Sequence, residues 1–176
     1  GDIVVVVGER HVIEGLDEGL EGKEIGFKGK IEVEPEKAFG EYDPDNKDVV
    51  TVTKLKEKPY PGQRIQVGDR YGTVERIIGR RVIVDFNHPY AGRDLVYEVT
   101  VVEKITDDIE KARALLSRHL PGADLSDAEI TMEGDALSIK LPKNVLYFEY
   151  IQFVKRFAAL EMGMVIPNLK KVIYIE

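Results

Sequence analysis

The sequence predicts an α+β protein built in three parts, and three observations carry that expectation. A short helix-like segment and an alternating strand pattern follow each other within residues 14–34. From Asp48 the texture changes to a series of short β-type runs broken by turn residues, which reads as a small all-β insert. After Ile105 the periodicity switches again, into an α-β-β-α-β order that reads as a separate small domain.

Residues 3–7 form a continuous β-branched run, expected to be a buried strand. Residues 14–20 are a short helix candidate, with Leu16 and Leu20 spaced i,i+4 and Gly22 placed as a C-terminal glycine cap. Gly15 and Gly19 lie one turn apart inside it, although glycine disfavours a helix interior by roughly 1 kcal/mol relative to alanine. Two glycines on one face would permit a close approach to a sheet. Residues 29–34 alternate Ile31 and Val33 with charges, as a half-buried strand does, and Pro35 stops them. Residues 38–46 are a loop rich in turn formers.

The insert's strands fall within residues 48–85, interrupted by "KPYPG", by Gly68-Asp69 and by Gly79. Residues 94–105 are the next strand, with Leu95, Tyr97, Val99 and Val101 on one face. Thr106 or Asp107 can cap the helix that follows, whose face carries Ile109, Ala112 and Leu116. A hairpin is expected to turn at residues 133–135. Residues 145–162 are expected to form one long amphipathic helix with Tyr147, Ile151, Val154 and Ala158 inward, ended by Gly163. Residues 170–176 close the chain as a strand.

Of the 176 residues, 43% are hydrophobic and 32% are charged, the composition of a soluble globular chain. A net charge of −7 lacks the basic footprint of a nucleic-acid binder. Cysteine is absent, which excludes disulfides and Cys-based metal sites and suits a reducing compartment. No apolar run approaches the ~20 residues of a membrane span, so no membrane partner is expected and a cytoplasmic location is.

Little conventional catalytic equipment is visible. His11, His88 and His119 are far apart in sequence, with no metal-ligand spacing, and each is expected to be structural or at the surface. There is no nucleophile elbow and no phosphate-binding glycine loop. Acidic pairs such as Asp17-Glu18 and Asp107-Asp108 sit at helix starts and are expected to be solvated. No metal and no cofactor are expected. One reaction needs none of these: rotation about an X–Pro peptide bond, whose barrier of ~18–20 kcal/mol comes from amide resonance. An apolar cup that holds the prolyl ring and removes water from the carbonyl favours the twisted, less polar amide.

Several linked stretches, in order, make that chemistry concrete. "VGERHVIEGLDEGLEGKEIGFKGKIEVEPEKAFGEYDP", then an insert, then "VIVDFNHPYAGRDLVYEVTVVEKI" resemble the FKBP-type peptidyl-prolyl cis-trans isomerases over residues 3–105. Within them the chain is similar to the SlyD-like branch, which carries an insert-in-flap (IF) chaperone domain. The appended domain resembles that of the long-type archaeal FKBPs, where it is associated with dimerisation. The resemblance implies an FKBP-like antiparallel sheet with a short helix at residues 1–45 and 89–105, an IF domain at 46–88, and a C-terminal domain, expected to dimerise, at 106–176.

It also implies roles. Val12 and Ile13 would line the prolyl pocket, with the Ile13 backbone able to donate to bound peptide. Leu16 would sit at the pocket floor, where many members have Trp. Phe39 would keep an aromatic wall without the hydroxyl of the family's Tyr, and Tyr97 would supply another wall. An ordinary core residue is the competing use of each. In the insert, Tyr60, Ile65, Val67, Tyr71 and Ile77 are candidate contacts for extended, unfolded peptide, with the insert's own core as the alternative. Partners would be unfolded or partly folded proteins with X–Pro bonds, plus a second copy of the chain. Family members carry a strand and a Phe-Asp pair before this point, so the N-terminal part of the FKBP lobe is expected to be missing here. A binding-only holdase with a degenerate isomerase site is the alternative to an isomerase with chaperone activity.

Overall fold

The computed structural model describes residues 2–55 and 57–175, a mixed α+β chain that divides into two compact units. One unit contains residues 12–22 and 28–100, and the other residues 2–11, 23–27 and 101–175.

The first unit opens with helix α1 (Glu14–Leu20), started at Ile13 and followed by Gly22 in the left-handed region at φ 70°. Strands β1 (Lys28–Val33) and β6 (Leu95–Thr100) pair antiparallel, with Ile31 opposite Tyr97 and Val33 opposite Leu95. The β6 ladder ends at Thr100, short of the expected residue 105. Between them lies a four-stranded antiparallel sheet of β2 (Lys47–Thr51), β3 (Arg64–Val67), β4 (Arg70–Ile78) and β5 (Arg81–Asp85), in the order β2-β5-β4-β3. Alternation turns Val50, Val74, Val82 and Val84 to one face, where they form the insert's buried core.

The second unit holds the α-β-β-α-β order. Asp107 caps helix α2 (Asp108–His119): its carboxylate accepts from the Ile109 and Glu110 amides at 3.0 Å each. The hairpin of β7 (Glu129–Glu133) and β8 (Ala136–Lys140) turns through Gly134 and Asp135, Gly134 having φ 61°. Strand β9 (Lys171–Ile175) joins β8 in parallel, and the crossover that a parallel pair requires is helical. Leu137 and Ile139 on the central strand are fully buried with Leu116, Ala158 and Met162.

Two expectations fail here, each for a physical reason. The helix foreseen over residues 145–162 is broken into α3 (Lys143–Leu146) and α4 (Ile151–Val165), and Tyr147 is 87% exposed. In one continuous helix, Val145 and Ile151 would point about 120° apart. The interruption at residues 147–150 lets both enter the same core, where both are buried. Gly163 does not end α4, which runs on to Val165 before Pro167.

Residues 3–7 are not a buried strand. Ile3 is 75% exposed, and no partner strand pairs with them among the described residues. A strand without a neighbour leaves its backbone donors unpaired. Here the Val6 amide is taken by His11 Nδ1 at 3.1 Å, and the Val6 side chain packs on the second unit's core. With Nδ1 accepting, the ring proton sits on Nε2, which faces Glu161 Oε1 at 3.3 Å. Arg118 and His119 reach the same carboxylate at 2.8 and 2.9 Å. His11 and His119 are therefore structural, as expected of them.

Candidate functional site

Helix α1 lies directly on β1. A Cβ at Gly15 would overlap the Val33 side chain, and one at Gly19 would overlap that of Ile31. The two glycines are where the helix touches the sheet, as the spacing foretold. This approach buries Leu16 with Ile31 and Val33, and Val12, Ile13, Leu20, Ala38, Leu95, Tyr97 and Val99 pack around them. Four of the five residues expected at the prolyl site (Val12, Ile13, Leu16 and Tyr97) thus share one apolar cluster. Val12, Ile13 and Tyr97 stay half-exposed at its margin, whereas Leu16 is buried.

Phe39 belongs to a different group of rings. It stacks on His88 with centroids 4.0 Å apart and planes 11° apart, and Tyr90 lies 5.8 Å from it. Sequence alone assigns His88 only a structural or surface role and does not single out Tyr90. Phe39 lies 49 or more positions from the other two rings, and no local pattern announces the contact. Among the acidic pairs, Glu18 is exposed and bonds Lys37, but Asp17 is buried rather than solvated.

In the insert, Ile65, Val67 and Ile77 pack on the core valines, while Tyr60 and Tyr71 are 61% and 59% exposed. Ile65 and Val67 lie on β3, one edge of the sheet, and Tyr71 stands opposite Gln66 of that strand. The Arg64 guanidinium covers the Tyr71 ring at 5.8 Å. Val49 and Ile78 are also more than half exposed. Val49 could have been found from the alternation in "DVVTV", which sets it on the face opposite Val50.

Where the insert leaves and rejoins the sheet, Asp85 accepts from the Asn87 backbone and side-chain amides, both at 2.8 Å, and from the Tyr42 hydroxyl at 2.8 Å. Burial pushes the Asp85 carboxyl up. These bonds, together with the nearby Lys47 charge, outweigh it and hold the group below its ordinary value. Lys47 is itself raised, chiefly by its hydrogen bond to Glu75.

The second unit has an open cleft of about 450 Å³, lined by Asp124, Asp127, Lys140 and Lys143 among others, and no residue of the expected sites lines it. Among the described residues, no group of three or more His, Asp or Glu side chains is arranged to hold a metal ion, and no helix is long and apolar enough to cross a membrane.

Two family models match the chain: that of the FKBP26 IF domain over residues 51–90, and that of the FKBP26 C-terminal domain over residues 108–176. The chain is 31% identical over 127 residues to an FKBP-type peptidyl-prolyl cis-trans isomerase SlyD of Haemophilus influenzae, covering 66% of this chain and 63% of that protein. It is 32% identical over 120 residues to the SlyD of Treponema pallidum, covering 61% and 66% respectively. It is 28% identical over 104 residues to an FKBP-type 16 kDa peptidyl-prolyl cis-trans isomerase of Escherichia coli, covering 55% of this chain and 70% of that one. The chain therefore spans less than two thirds of the length of the SlyD proteins it matches.

Proposed function

The chain belongs to the FKBP-type, SlyD-like proteins that carry an IF domain, and on that premise we propose that it is a peptidyl-prolyl cis-trans isomerase with chaperone activity. The observation that carries this reading is the apolar cluster under α1, with Val12, Ile13 and Tyr97 half-exposed at its margin and Leu16 beneath. A prolyl ring set against these side chains loses its water, and so does the preceding carbonyl. The twisted amide has less charge separation than the planar one, so an apolar surface favours it.

Clients would reach this surface from the insert. Its β3 edge offers backbone donors and acceptors to an extended chain, and Tyr60 and Tyr71 offer exposed apolar rings beside that edge. Ile65, Val67 and Ile77 divide between this role and the insert's own core. Holding a client there raises the concentration of its X–Pro bonds near the isomerase surface. The C-terminal unit would join two copies through the outer face of α4.

A binding-only holdase is the second reading, and the ring group favours it. Phe39 lacks a hydroxyl and stacks on His88, so the polar contact that the family's Tyr can make to a substrate carbonyl is lost.

Refolding of a protein limited by proline isomerisation tests both. The chain should shorten the slow phase, and Ile13→Asp should remove at least about nine tenths of that acceleration, one pKa-sized step of ~1.4 kcal/mol in the barrier. Ile13 is the residue that starts α1, where Asp is favoured as a cap, so the variant should still fold. An unchanged slow phase with both chains overturns the isomerase. Suppressed client aggregation with that same result establishes the holdase.

A further inference from the structure

The insert hangs from two stems, residues 42–46 going out and 85–88 returning, and one side chain ties them together. Asn87 Oδ1 accepts from the Asp43 amide at 3.0 Å, and Asn87 Nδ2 donates to the Asp43 carbonyl at 2.7 Å. The side-chain amide thus pairs with the opposite stem as a backbone amide would in a β-ladder. The same Nδ2 also donates to Asp85 Oδ1 at 2.8 Å, and Asp85 Oδ2 accepts from the Tyr42 hydroxyl at 2.8 Å. Asp85 therefore fastens to its own stem and to the other one.

This clasp is flanked on both sides by further bridges between the stems. Toward the insert, the Phe86 amide donates to the Asn46 carbonyl at 3.0 Å, and Arg70 bonds Asn46 while covering the Phe86 ring at 4.0 Å. Toward the β1–β6 sheet, Phe39 stacks on His88, and the Gly92 amide donates to the Gly40 carbonyl at 2.8 Å. Two strands that merely crossed between domains would need none of these, because a flexible linker meets its hydrogen-bond demand from water.

We propose that Asn87 is a positioning residue: by clasping Asp43 and Asp85 it fixes the orientation of the insert relative to the apolar cluster under α1. The inference rests on the isomerase-chaperone reading for its consequence, though not for its geometry. A client chain held on β3 by a rigidly mounted insert samples the prolyl surface within a small volume, so its effective concentration there is high. An insert swinging on loose stems spreads the same client over a larger one. Free tetrapeptides, too short to engage both surfaces, are indifferent to the clasp.

Two measurements on the full chain test this. Residual dipolar couplings report whether the β2–β5 sheet and the β1–β6 sheet share one alignment tensor. They should share it in the parent, and the tensors should diverge in Asn87→Ala and, to a lesser degree, in Tyr42→Phe, which keeps the ring and removes the hydroxyl with its bond to Asp85. Divergent tensors in the parent, or shared tensors in the variants, overturn the clasp. Independently, Asn87→Ala should lower kcat/KM for a proline-limited folding substrate about tenfold, mostly through KM, and leave a proline tetrapeptide unchanged. A loss equal on both substrates overturns the positioning role. A parent inactive on both overturns the isomerase reading alone, and the tensors still decide the clasp. Tyr42→Phe, which leaves the backbone ladder and Asn87 intact, serves wherever Asn87→Ala does not fold.

Discussion

At the scale of single residues, the informative groups are those whose partners come from distant parts of the chain. Glu161 receives His11, Arg118 and His119, and Asp85 receives Tyr42 and Asn87. Neither hub was legible in the sequence: apart from Asn87, which is near Asp85 in the chain, the partners lie 42 or more positions away, and no pattern links residues so far apart. Val12, Ile13 and Leu16 were no more legible as a site by pattern alone, because aliphatics beside glycine suit plain core equally well; only the resemblance of the stretch around them singled them out. Asp85 supports a prediction in pH. Its folded-state pKa is lowered, so the stability it contributes is present above the unfolded value of ~3.9 and is lost as pH falls through the folded value. Parent and Asp85→Asn should differ in unfolding free energy at pH 7, and the difference should shrink as pH falls below the unfolded value and close only below the lowered folded value, where the parent's carboxyl becomes neutral in both states. Urea titrations from pH 7 to 2 measure it; a gap that persists at pH 2 would show that size or geometry, not charge, holds the stems.

At the scale of elements, patterns with a fixed period were legible and elements defined by their neighbours were not. Alternation gave the strands of the insert, and the Asp107 cap gave the start of α2. The break between α3 and α4 depends on two residues sharing one core, which helical period alone cannot express. The run at residues 3–7 looked like a strand because β-branched composition is only a preference, and a strand exists through its partner. Helix α1 shows period and packing in direct conflict. Alanine at position 19 would gain up to about 1 kcal/mol in helix propensity. Its Cβ would also overlap the Ile31 side chain on a strand held by the β1–β6 ladder. Overpacking of this kind costs about 1–3 kcal/mol. Gly19→Ala should therefore destabilise the chain by about 1 kcal/mol net and shift α1 off the sheet. Gly163→Ala is the control, because nothing lies within 4 Å of a Cβ there, and it should stabilise. Equal gains from both substitutions in thermal unfolding would mean that α1 does not press on β1.

At the scale of the whole molecule, one apolar surface that the fold does not use is the outer face of α4. Phe153, Phe157, Leu160 and Met164 follow one another at helical spacing, and each is more than half exposed. The opposite face already spends Ile151, Ala158 and Met162 on the core. A contiguous stripe of this kind is unusual on a monomer. A straight apolar stripe is also its own complement: a two-fold axis across α4 would set each stripe against its copy, running antiparallel. Stable interfaces bury about 800 Å² on each partner, an area that needs more than the four side chains, and the exposed Tyr147 and Tyr150 rings near the start of the helix extend it. Light scattering at micromolar concentration should therefore report twice the 19.8 kDa chain mass. Phe157→Asp, at the middle of the stripe, should yield monomers whose circular dichroism is unchanged, because Phe157 contributes nothing to the buried core. The reverse pairing of results is decisive as well: a parent that stays monomeric at high concentration removes the second copy as the occupant of this face. A dimer insensitive to Phe157→Asp moves the interface elsewhere.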